Sequence, residues 1–198
     1  MARRTAMPDL RRGHRVLENT SMLSPQSLSE NDRRIVAAWA ADCAERVLPL
    51  FEAEAPGDGR PRDGISRARS FARGELDTAG EIRRRFVAGR ASQGVDSPAA
   101  KAAAWSAGQA AGVAHMGAHA LGAAAYAAKA AEIVDPGRGG AAEIAWQLAN
   151  MSQTVRAALS QLPTLGEDPS GPLSTGLLAS GLLGENIRSI QASIKPKA

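Results

Sequence analysis

Apolar residues recur three or four positions apart along most of the chain, and no stretch alternates as a half-buried strand would. Ser29 with Asp32 three residues on is a carboxylate variant of a helix capping box. Behind it, DRRIVAAWAADCAERVLPLFEAEAP carries Val36, Ala40, Cys43, Val47 and Leu50 on one stripe, widened by Trp39 and Phe51. Pro49 is expected to bend the last turn, since it has no backbone donor. Pro61 opens a second helix through Ile65, Ala68 and Ala72, and Ile82, Phe86 and Gly89 line a third. Ser97–Pro98 starts a fourth, predicted to run unbroken to Ile133 before VDPGRGG stops it. A fifth, from 141 to about 161, turns Ile144, Leu148, Met151, Val155 and Leu159 inward. The pattern predicts an all-α compact bundle of about five helices around one long central Ala/Gly-rich helix.

The bundle is expected over residues 29–162, between a flexible basic arm at 1–28 and a Gly/Ser/Pro-containing tail at 163–198. Within that tail GLLASGLLGENIRSIQAS reads as a short docked helix or as an arm that orders on a partner. Aromatics make up only 4% of the chain against 44% hydrophobic residues, which points to close packing by small side chains. The single cysteine, Cys43, rules out an internal disulfide and reads as a core residue. No secretory signal and no uncharged membrane-spanning run is visible, so a cytoplasmic location is expected. The net charge of +4 invites a nucleic-acid reading, but +3 of it lies in residues 1–29 and the core is almost neutral. Nucleic acid is therefore not the expected partner of the core domain.

Two of the three histidines, His115 and His119, lie four residues apart in an Ala/Gly-rich run. On one continuous helix Trp105, Gly108, Gly112, His115, His119, Gly122 and Tyr126 share a face. Glycine inside a helix costs about 0.5–1 kcal/mol relative to alanine, so the glycines imply close approach by a helix or a ligand. Three readings stay open: a structural polar network, a small-molecule or catalytic pocket, and a metal site. The zincin signature is absent because Met116, Gly117 and Ala118 fill the interval. A divalent metal would need His115 and His119 joined by Asp42 or Glu45 from the first helix, and no cofactor is expected otherwise. For acid/base chemistry the candidates are His115 and His119, with Asp42 or Tyr126 as orienter. The Trp39–Glu45 segment is the expected partner across the seam, so Trp39, Asp42, Glu45, Trp105, Gly108, Gly112, His115, His119, Gly122 and Tyr126 make up the candidate ligand-binding set.

The segments DRRIVAAWAADCAERVLPLFEAEAPGDGRPRDGI and AAGVAHMGAHALGAAAYAAKAAE together resemble the Imm-5-like family of immunity proteins. The matching positions include Trp39, Asp42, Cys43, Glu45, Arg46, the GDGRPRDGI turn, His115, His119, Tyr126 and Lys129, over about residues 32–162. The resemblance implies a small helical domain that neutralises a cognate protein toxin by non-covalent association, and it brings no catalytic residues with it. On that reading the partner surface is the acidic FEAEAPGD stretch or the tail from Leu177 to Ile190. The alternative is a small-molecule-binding protein or enzyme at the histidine seam. Ala/Gly faces also suit a homodimer.

Overall fold

The computed structural model describes residues 24–195, so most of the basic arm lies outside it. Ser29 caps α1 (Glu30–Glu52) by accepting from the Asp32 amide, and Pro49 lies inside that helix. Next come α2 (Arg60–Ala72), α3 (Thr78–Arg84) and α4 (Val87–Arg90). Ser97 caps α5 (Pro98–Gly112), which is followed by α6 (His119–Val134). The remaining helices are α7 (Gly139–Ala149), α8 (Gln153–Ser160) and α9 (Gly181–Ile194). The fold is all-α, with no strand among the described residues. No described helix is long and apolar enough to cross a membrane.

The centre of the bundle is an antiparallel hairpin of α5 and α6, laid on α1. α2 and α4 flank α5, while α7 and α9 cover α6. Residues 120–128 of α6 are buried on every side, as expected for a helix with no solvated face. Because most of those side chains stop at Cβ, neighbouring helices reach its backbone. Ser106 on α5 donates to the Ala123 carbonyl at 2.7 Å. Gln147 on α7 donates to Ala124 and Asn186 on α9 to Ala125, each at 3.1 Å. Three surrounding helices thus bond to three successive carbonyls.

Several expectations change. The long central helix is two helices, because the chain turns back at residues 113–118. There the Gly117 and Ala118 amides donate to the Ser27 and Gln26 carbonyls, both at 3.0 Å, instead of continuing a helical ladder. The end of the supposed flexible arm is therefore part of the packed structure, and Gln26 is fully buried. Its side chain bonds the Ser170 carbonyl and the Leu173 amide, while the tail beyond it docks as α9 on α6. The third predicted helix is split at Arg85–Phe86, leaving Phe86 56% exposed instead of on the inner face. The fifth is split before Ser152, which caps α8.

Gly108 faces α4 at a distance no larger residue would allow. A Cβ there would sit 2.8 Å from the backbone N and Cα of Gly89, which cannot move aside as a flexible side chain can. Gly108→Ala is expected to lower unfolding free energy in urea by about 1–2 kcal/mol despite alanine's helix preference.

Candidate functional site

The turn at 113–118 folds the predicted face back on itself, so its two halves meet across the α5–α6 hairpin. Trp105 stacks on Tyr126, with ring centroids 6.1 Å apart and planes 22° from parallel. A Cβ at Gly112 would lie 3.0 Å from the His119 ring, and one at Gly122 would collide with the Gln109 side-chain oxygen. These glycines leave the space into which polar side chains fit. His119 Nδ1 lies 2.8 Å from Gln109 Oε1, and since that oxygen only accepts, Nδ1 carries the proton. His119 Nε2 is left with its lone pair. His115 stands on the turn, its ring 6.4 Å from that of His119 and tilted by 37°.

Two adjoining clefts open on this cluster, sharing Trp105, Gln109, His115 and His119 as a common wall. The larger, about 380 Å³, continues over Met116 and Tyr126 to Pro172, Leu177 and Leu178 of the C-terminal segment. The smaller, about 240 Å³, runs past Gly108 and Gly112 to Arg85 and Phe86. Burial holds His119 down at about 4, with the His115 ring and the Arg85 charge acting in the same direction. His115 is also lowered, by burial and then by the Arg85 and Arg33 charges. Both rings are therefore neutral at pH 7. Burial raises Tyr126. A base as weak as His119 is poorly matched to proton abstraction near neutrality, where effective catalytic groups titrate close to the working pH.

The structure separates the predicted α1 residues from the histidines. Trp39 is buried and donates its indole N–H to the Gln147 carbonyl at 3.1 Å. Asp42 and Glu45 are about half exposed and both pair with Arg69, at 2.7 and 2.6 Å. That bond holds the Glu45 carboxyl below its usual range. With Arg46, Trp146 and Asn150 they border a different cleft. Asp42 orients neither histidine, and neither acid supplies a metal ligand beside them. Among the described residues no group of three or more His, Cys, Asp or Glu side chains is placed to hold a metal ion. Cys43 is fully buried, and burial raises its thiol well above the usual range. Gln109 and Arg85 join the cluster without a sequence signal that singles them out.

A protein-family model described as Imm-5 like putative immunity protein matches residues 26–154. The chain belongs to this family. No curated protein and no solved structure matches the chain. The matched stretch includes the α5–α6 hairpin with both histidines, and it stops before the segment carrying Pro172, Leu177 and Leu178. In this Imm-5-like protein the histidine cluster thus lies within the family region, while one wall of its larger cleft lies outside.

The low His119 value makes stability depend on pH. An unfolded histidine titrates near 6.5, so between about 4 and 6.5 the unfolded chain binds more protons than the folded one. Stability from the neutral ring is fully present above that window and is lost as pH falls through it. Urea unfolding at pH 7 and pH 4.5 should show a loss on the order of 2 kcal/mol, most of which His119→Gln removes.

Proposed function

We propose that this Imm-5-like protein neutralises a cognate bacterial protein toxin by binding it non-covalently, with no chemical step of its own. Family membership supports an immunity-type role. The observation that carries the binding mode is the orientation of α7. Its most buried side chains are polar: Glu143 pairs with Arg46 at 2.8 Å, and Gln147 donates to the Ala124 carbonyl. Its apolar residues Ala141, Ile144, Ala145 and Leu148 instead border an open groove of about 390 Å³ against Leu182 of α9. Ile144 and Leu148 are only partly buried, contrary to the inward placement expected from spacing.

Leu182 is 41% exposed, and apolar surface of this kind marks protein interaction sites. The groove combines that apolar floor with Glu185, while Glu132, also on its lining, accepts from the Gly137 and Gly140 amides. It includes part of the Leu177–Ile190 stretch named from sequence. The acidic FEAEAPGD stretch is less suited to a partner, because its carboxylates are engaged within the chain. Glu52 pairs with Arg62, Asp58 pairs with Arg60, and Glu54 accepts from the Asp96 and Ser97 amides.

Calorimetry with toxin-like products of neighbouring genes should find one that binds tightly at 1:1. Leu182→Glu should weaken that complex by about thirtyfold or more while circular dichroism of the free protein stays unchanged. A complex indifferent to Leu182→Glu would place the interface elsewhere, and failure of every such product to bind would count against the immunity role.

A further inference from the structure

The histidine cluster borders a second open surface, distinct from the α7–α9 groove in its lining residues. Three glycines give its side chains their positions. A Cβ at Gly89 would lie 3.0 Å from the Trp105 ring, just as Gly112 and Gly122 make room for His119 and Gln109. Each glycine that lies in a helix weakens that helix, whereas alanine is the commonest solution elsewhere in this bundle. The cluster also retains exposed aromatic surface: Trp105 is 41% exposed although stacked on Tyr126, and Phe86 is 56% exposed.

The electrostatics of the cluster have one sign. Among the described residues no carboxylate lines either cleft. Among the described residues Arg33, Arg83, Arg85, Arg90, Arg156 and Arg188 pair with no Asp or Glu, and of these Arg85 lines the smaller cleft. Arg85 lies over the Phe86 ring at 4.4 Å and Arg90 is 6.0 Å from the same ring. Arg33 is buried, with its Nε lacking a partner among the described residues, and its charge reaches His115. A cation entering here would meet Arg85 and two neutral imidazoles. An anion would meet a guanidinium, whose planar donors suit a carboxylate, and a neutral imidazole able to donate one N–H.

We propose that the paired clefts bind a small aromatic monocarboxylate, its flat body against Trp105 and Phe86 and its carboxylate at Arg85 and His115. The combined space falls in the range of small-molecule sites, and the lining has their mixture of apolar walls and few convergent polar groups. A single carboxylate fits better than a phosphate dianion, because Arg85 is the only formal charge on the lining among the described residues and already gives one N–H to the Ile82 carbonyl.

The probe is 2-naphthoate, titrated into the full chain by calorimetry and tryptophan fluorescence beside 2-naphthamide and 2-naphthylmethylamine. The carboxylate should bind at one site per chain, about tenfold or more tighter than the neutral amide, with the amine weaker still. Arg85→Gln should remove that tenfold preference and leave amide binding unchanged. In the unmutated protein, naphthoate should also raise the His115 titration point followed by imidazole NMR, a readout that survives a poorly folded variant. Equal affinity for the three probes, no saturable binding up to about 1 mM, or an unmoved His115 titration overturns the proposal. None of these outcomes bears on toxin binding at the α7–α9 groove.

Discussion

Burial of α6 on all sides is the constraint on which the architecture depends. A helix with no solvated face gains nothing from polar side chains of its own, and here its surface is mostly methyl groups. Methyl groups fill little space, so the surrounding helices come close enough to bond its carbonyls through Ser106, Gln147 and Asn186. Such polar side chains inside a bundle are favourable only when each finds a partner, and α6 supplies those partners in sequence. This explains how a chain with few aromatics forms a packed interior. It also accounts for the unusual face of α7: with Gln147 turned inward to reach α6, its apolar residues turn toward the groove.

Local signals in the sequence were legible where they were also local in cause. Ser29 and Ser97 cap the helices they precede, and the predicted apolar stripe of α1 is buried except at Leu50, which is only partly covered. The break between α5 and α6 was hidden because Ala and Gly satisfy a helical period whether or not the helix continues. Its cause is tertiary: the Gly117 and Ala118 amides find carbonyls on Ser27 and Gln26, far away in sequence. The candidate site was half legible. Trp105, the glycines, both histidines and Tyr126 do come together, but through a fold in the chain and not along one helix. Asp42 and Glu45 are drawn instead to Arg69, a pairing that helical spacing cannot reveal. Gln109 and Arg85 were missed because nothing in their neighbourhoods distinguishes them from solvated polar residues.

The molecule carries two open surfaces of different character. The α7–α9 groove is apolar with Glu132 and Glu185 on its lining, and its shape follows from how α6 is held. The clefts at the histidines have aromatic walls and, among the described residues, positive charge without carboxylates, and depend on the α5–α6 turn. Both draw on α6, which presents His119 and Tyr126 to the clefts and Glu132 to the groove.

Gln26 ties two distant parts of the chain to its own segment through three bonds. Its backbone carbonyl holds the α5–α6 turn, its amide nitrogen holds Ser170, and its side-chain oxygen holds the Leu173 amide. The region shared with the family ends at residue 154, before two of those attachments. A fragment trimmed to the family boundary would keep both histidines but lose the segment that pins the residue bracing their turn. The family region therefore contains the cluster, while the segment that pins its brace lies beyond that region.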